Sequence, residues 1–271
     1  MKTRVITAAV LIPVLLLLLM AAPTVVTAIV WGLLMAIAVY ELLYCTGLVR
    51  ETRLVVYAAV MAFAVVIWSH YSAIHAYALL GLMLYSGILF AEMMISHVKI
   101  TFEKICMCMV AGCVIPFLLG SLIRILVMNR IGRYMVLIPF IVAFISDSGA
   151  YFAGRFFGRH KLAPVISQHK TVEGAIGGII SAIAAMIIYC LILHLAFGLR
   201  VNYLFAVIYG LLGSCAGVFG DLCFSIVKRQ TGIKDYGNLI PGHGGVLDRF
   251  DSMMMVGPLM EALLILIPLA V

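Results

Sequence analysis

Between Gly220 and Asp251 the chain sets out Asp221, Ser225, Lys228, Arg229, Lys234, Asp235, Asp248, Arg249 and Asp251, with Pro241, Gly242, His243, Gly244 and Gly245 among them. Four acids and four bases thus share some thirty residues of a chain that is only 11% charged. Charge at that density beside apolar segments is expensive, so function is the default expectation. On a helix, Asp221, Ser225 and Lys228 fall at i, i+4 and i+7, aligning a carboxylate, a hydroxyl and an ammonium on one stripe. Asp248 and Asp251, three apart, share a face in the same way. Gathered carboxylates suit a hard cation such as Mg²⁺, which takes oxygen ligands and bridges to substrate phosphates. Lys228, Arg229, Lys234 and Arg249 suit phosphate oxygens, Arg through a planar fork and Lys as a point charge. The turn from Pro241 to Gly245 has three glycines in five residues, so its backbone N–H groups can approach an anion closely. Cation, bases and turn converge on a polyphosphate. Taken singly, the residues have plainer readings: Asp248 as a helix cap, Lys228 and Arg229 as membrane anchors, His243 as a turn residue. Asp221 resists one, because an unpaired carboxylate near the end of an apolar helix is costly.

The elements that must position these groups are membrane spans. With 65% hydrophobic residues, the chain far exceeds the apolar content of soluble domains, and no polar block is long enough for a separate soluble domain. The expectation is an all-α, polytopic membrane bundle: one domain over 1–271, with a catalytic half at about 140–271. Segments near 5–20, 25–44, 54–69, 73–95, 105–127, 134–153, 172–197, 203–226 and 252–270 predict about nine spans of the length hydrocarbon requires. The first follows Lys2 and Arg4 and reads as a retained span, because another apolar run succeeds it at once. With the amino terminus inside, 14 Lys and Arg lie on inside loops against 4 outside, as the positive-inside rule demands.

Two stretches, 155–173 and 228–252, are too polar to cross lipid. Two spans separate them, so both return to one face, predicted to be cytoplasmic, and a composite site is geometrically open. The excess positive charge of +7 is absorbed by sidedness and by the phosphate site. Membrane lipids are therefore the expected partner of the surplus, and no nucleic-acid module is present. The seven cysteines show neither zinc spacing nor a disulfide framework. Glu41, Glu92, Glu261 and His194 read as buried polar groups with satisfied contacts.

The run from Ser225 to Asp251 resembles the signature of the phosphatidate cytidylyltransferases, or CDP-diacylglycerol synthases. Ser225, Lys228, Arg229, Lys234, Asp235, Pro241, His243, Gly244, Gly245, Asp248, Arg249 and Asp251 meet every fixed position. Upstream, Asp147, Ala150, Tyr151, Gly154, Arg155, Gly158, Arg159, Leu162, Pro164, Ser167, Lys170, Thr171, Glu173 and Gly174 are similar to the family's second polar segment. One departure stands out: Gln168 and His169 follow Ser167 where the family usually has Pro, which leaves the local loop shape open.

The resemblance implies a reaction of CTP with phosphatidate to give CDP-diacylglycerol and pyrophosphate, in the inner membrane with the site facing the cytoplasm. It implies Asp221 and Asp248 as ligands of Mg²⁺, with Asp235 and Asp251 as further ligands or orienters and a second cation left open. Lys228, Arg229, Lys234, His243 and Arg249 belong to the expected catalytic set. Ser225, Gly244, Gly245, Asp147, Lys170 and Glu173 are expected to bind substrate, although Glu173 also suits a helix start after Thr171. A homodimer, the acyl-chain preference and CTP against dCTP stay open. A transporter would spread ionisable residues through several spans at mid-depth, whereas here they crowd into two loops. Another CTP-using lipid enzyme, such as a polyprenol kinase, remains the rival reading.

Overall fold

The computed structural model describes residues 2–71, 75–240, 242 and 244–270, with backbone alone at 2–6, 8, 75 and 76. Pro241 and His243 therefore lie outside the described residues. Helices carry nearly all of the chain because lipid offers no partner for backbone N–H and C=O, and only a helix satisfies them within one segment. In chain order they are α1 (Lys2–Met20), α2 (Thr24–Tyr40), α3 (Thr52–His70) and α4 (His75–Ile95). Then come α5 (Phe102–Met109), α6 (Ile115–Leu119), α7 (Ser121–Val127), α8 (Gly132–Met135) and α9 (Leu137–Phe157). Two strands, β1 (Lys161–Ala163) and β2 (Ser167–Thr171), precede α10 (Val172–Phe197), α11 (Tyr203–Gln230), α12 (Leu247–Phe250) and α13 (Met253–Leu266).

Each of the nine segments expected to be spans overlaps a helix, although 73–74 lie outside the described residues and 267–270 are not helical. Among the described residues, 7 helical stretches are long and apolar enough to cross a membrane, and Ala9–Met20 and Met253–Leu266 are apolar but shorter. The protein is a polytopic membrane helical protein. The named strands among the described residues, β1 and β2, depart from the all-α expectation as an antiparallel hairpin that pairs Lys161 with Thr171 inside the first polar stretch.

Where the sequence reads as one domain, the chain divides into two compact units. The first comprises residues up to Arg133 together with Gln230–Phe250, and the second comprises Tyr134–Arg229 and Asp251–Val271. The expected catalytic half is thereby divided, since most of the signature loop folds with the amino-terminal helices. In the first unit α2 packs along α3, and the buried Trp31 indole donates to the Leu119 carbonyl at 3.1 Å. At its end α2 widens into a π turn over Glu41–Cys45, a feature that often marks functional positions.

In the second unit α9, α10 and α11 approach closely through small residues, which lets membrane helices gain van der Waals contact. Buried Ser146 and Ser214 join α9 to α11 by a hydroxyl pair at 2.5 Å. Gly198, in the left-handed conformation at φ 66°, ends α10 and turns the chain back into α11. The α10 start and the α11 end consequently lie at one end of the pair, where Arg229 Nε donates to the Ile166 carbonyl at 3.3 Å. The first polar stretch meets the opening residues of the second there. At the opposite end the chain terminus covers the α10–α11 turn, with Asn202 N–H on the Leu269 carbonyl at 3.0 Å.

A Cβ placed on Gly210 would lie 2.6 Å from the Ile183 Cα and 2.8 Å from its nitrogen, both backbone atoms that cannot rotate away. Gly210→Ala is expected to lower stability by about 1–3 kcal/mol, the usual range for overpacking. Gly87→Ala, where nothing lies within 4 Å, serves as the neutral control. Thermal unfolding of both variants in detergent checks the difference.

Candidate active site

The second unit gathers six of the residues singled out by type and spacing. Asp221, Ser225 and Lys228 descend one stripe of α11, and Ser225 Oγ donates to Asp221 Oδ1 at 3.1 Å. Strand β2 brings Lys170 across, so that its Nζ lies 2.5 Å from Asp221 Oδ2. Asp251 follows on the chain segment leading into α13 and faces Lys228, with 3.9 Å between Nζ and Oδ2. Gly220 permits this approach, because a Cβ there would meet the Asp251 carbonyl oxygen at 2.8 Å. Asp147 on α9 adds negative potential at Asp251.

This is a cluster of acids with too little compensating charge at one member. Burial foremost, and then the neighbouring Asp221, push the Asp251 carboxyl up to about 7, against the pull of Lys228 and of the Ser252 N–H. Its side chain is only 14% exposed. Two repelling carboxylates, one on α11 and one on the α13 lead-in, are the donor chemistry that a divalent cation relieves. Among the described residues no group of three or more His, Cys, Asp or Glu side chains is arranged to hold a metal. A Mg²⁺ site here fits a pair of carboxylates completed by water and substrate phosphate, which is how this ion is commonly held.

Neighbouring candidates have other commitments. Thr171 Oγ1 accepts the Gly174 N–H as the cap of α10. The Glu173 carboxylate accepts the N–H groups of Arg159 and His160 and meets His160 Nδ1 at 2.6 Å. It therefore fixes the entrance of the hairpin, in keeping with its position in the first turn. Gln168, where the family usually has Pro, sits in strand β2 with its carbonyl bound by Lys161 Nζ at 2.8 Å.

In the first unit the signature loop is fastened by two buried carboxylates. Asp248, 6% exposed, accepts the Tyr236 and Gly245 N–H groups on Oδ2 at 2.8 and 3.0 Å. Glu41, 3% exposed, accepts the N–H groups of Val246 and Leu247 at 3.0 and 2.9 Å. Glu41 was expected to be a satisfied buried acid, and it is; what the sequence did not disclose is a partner some two hundred residues away. Two of the loop's glycines follow from it. A Cβ on Gly237 or Gly245 would fall within 2.5 Å of a Glu41 carboxylate oxygen.

Gly244 adopts φ 88°, in the left-handed region that favours glycine. Within the turn expected to bind an anion, the Gly245 N–H is taken by the chain's own Asp248. Lys234, Asp235 and Arg249 stand exposed on this loop.

Replacing Glu41 by Ala should free the amides of Val246 and Leu247. Bonds to a charged acceptor are each worth about 1.5–3 kcal/mol, so amide hydrogen exchange at these two positions should accelerate by at least about tenfold. The Asp251 carboxyl sits above the ordinary carboxylate value of about 4, so its contribution to stability is fully present below that value and is lost as pH rises through about 7. With EDTA present, the unfolding temperature should fall between pH 5 and 8, and Asp251→Asn should flatten that fall.

The description "Cytidylyltransferase family" fits residues 2–267. Phosphatidate cytidylyltransferase from Staphylococcus saprophyticus is 42% identical over 134 residues, 49% of this chain and 50% of that protein. The proteins of that name from Staphylococcus haemolyticus and Staphylococcus epidermidis are 46% and 43% identical over the same length and the same shares. The chain thus spans about half the length of the curated relatives it matches. The family description covers nearly all of it, and the chain belongs to the cytidylyltransferase family.

Proposed function

We propose that the protein is a phosphatidate cytidylyltransferase, joining CTP and phosphatidate into CDP-diacylglycerol with release of pyrophosphate. The observation that carries this reading is the cluster of the second unit, where Lys170 and Lys228 stand against Asp221 and Asp251 with Ser225 between. The names borne by the staphylococcal relatives support the same choice of substrates.

The chemistry asks for little besides charge control. A phosphomonoester has a second pKa near 6, so the phosphatidate phosphate reaches the site largely as a dianion and needs no base. One of its oxygens attacks the α-phosphorus of CTP; a new P–O bond forms, the bond to the β-phosphate bridging oxygen breaks, and pyrophosphate leaves with its electron pair. Repulsion between two anions is the barrier, and positioned cations lower it. Asp221 and Asp251 would hold a divalent cation, which when bound supplies positive charge between the reacting phosphates. Ser225 orients Asp221. Lys228 balances Asp251, and Lys170, which pairs with Asp221, would offer its ammonium to a phosphate oxygen.

The loop of the first unit presents Lys234 and Arg249, exposed cations of the kind that suit phosphate oxygens, with Asp235 beside Lys234 in sequence. Asp248 keeps their loop closed; any cation ligation by Asp248 would fall to the oxygen other than Oδ2. The proposed setting is the bacterial inner membrane with the polar segments toward the cytoplasm, where CTP is found.

Incubating the purified chain with labelled CTP, Mg²⁺ and either phosphatidate or a polyprenol tests the reading. Labelled lipid and pyrophosphate should appear with phosphatidate alone; transfer to the polyprenol would replace this proposal by the kinase reading. Asp221→Asn should reduce turnover by at least about a hundredfold, the scale expected on removing a group that stabilises transition-state charge, while its elution profile stays that of a folded protein. Turnover like the wild type at saturating Mg²⁺ would remove Asp221 from the cation site.

A further inference from the structure

A carboxylate is a costly tether in a membrane protein, because neutral oxygens could accept the same N–H bonds without a buried charge. Glu41 is buried all the same. It opens the π turn Glu41–Cys45 that ends α2, a backbone irregularity common at functional positions. Its two oxygens divide their work: Oε1 accepts the Val246 N–H at 3.0 Å and Oε2 the Leu247 N–H at 2.9 Å. Gly237 and Gly245 hem in the same carboxylate, since a Cβ on either would press on it. A side chain bonded twice and bounded by two glycines has little room to move.

What it holds is the start of α12 (Leu247–Phe250). Fixing the amides of residues 246 and 247 fixes the direction in which that turn sets out. Its other end is seated by Phe250, whose ring meets Trp31 of α2 edge-on with 4.8 Å between centroids. Trp31 is itself buried and bonded to the Leu119 carbonyl. Between these two anchors stands Arg249, exposed where Leu247 and Asp248 are buried. The backbone of an exposed cation is thereby pinned on both sides, by α2 and by the π turn that ends it.

We infer that Glu41 is a positioning residue for nucleotide binding, acting through Arg249, whose fork takes the triphosphate. The inference rests on the reading of the protein as a CTP-dependent transferase. A guanidinium matches two phosphate oxygens only from a set distance and plane. A shift of the α12 backbone therefore costs affinity for the triphosphate without removing any group that touches it. Glu41→Gln brings about that shift: the side chain keeps its size, but its NH₂ group opposes one of the two backbone N–H groups.

The test is equilibrium dialysis of labelled CTP, with Mg²⁺, against the full chain in detergent, reading both Kd and the number of sites. Misfolding lowers the number of sites and leaves Kd alone, whereas lost positioning raises Kd with the sites intact. Glu41→Gln should raise Kd at least about tenfold, the factor that accompanies loss of one bond to a charged acceptor. Arg249→Gln should do the same, and Glu41→Gln added to it should raise Kd no further, because the two act as a unit. An unchanged Kd for Glu41→Gln, or a full additional loss in the Arg249→Gln background, overturns the inference. If Glu41→Gln fails to fold, Gly237→Ala decides: it crowds the carboxylate without altering any charge, so Kd should rise, and an unchanged Kd overturns the inference. Transfer to phosphatidate, followed separately, judges the enzyme reading. A wild type that binds CTP and transfers nothing ends that reading and leaves the role of Glu41 standing, whereas one that binds no CTP ends both.

Discussion

Every polar feature of this protein answers to one constraint, the cost of placing a carboxylate where water is scarce. The chain meets it in two ways. Glu41 and Asp248 accept hydrogen bonds from backbone N–H groups, Val246 and Leu247 on the one, Tyr236 and Gly245 on the other. Such bonds are fixed by local geometry and leave the acid with a structural task. Asp221 and Asp251 instead face lysines and each other. That arrangement is incompletely compensated, so it stays receptive to an added cation. The contrast separates acids bound to backbone amides from acids set against lysines.

The same contrast explains why the signature segment is divided between the two units. Its helical beginning and its last acid fold with α9 and α10, where Lys170 waits. Its glycine-rich middle folds with α2, where the buried Glu41 carboxylate satisfies the amides of Val246 and Leu247. Gly237, Gly244 and Gly245 are then requirements of packing and backbone conformation as much as of any ligand.

Much of this was legible in the sequence. Apolar blocks of the length of a bilayer gave the helices, and the i, i+4, i+7 spacing put Asp221, Ser225 and Lys228 on one stripe. The two-crossing argument returned the end of α11 to the start of α10, where Lys170 meets Asp221 and Arg229 meets the Ile166 carbonyl. The β1–β2 hairpin escaped notice because its strands are three and five residues long and polar, with no alternation to read. Glu41 as an anchor escaped because no local pattern links an acid in an early helix to amides two hundred residues later. Gly245 was read as a donor to a ligand, since a glycine-rich turn does not reveal whether its anion comes from outside or from within.

Glu41 also sets a limit on how this chain can be recombined. A graft that carried residues 134–271 onto a different set of amino-terminal helices would transfer every motif residue and still deliver an untethered loop. The unit that would have to travel together is the acid at the π turn with the glycines that make room for it. Modularity here follows the buried carboxylate, and the order of residues along the chain is a poor guide to it.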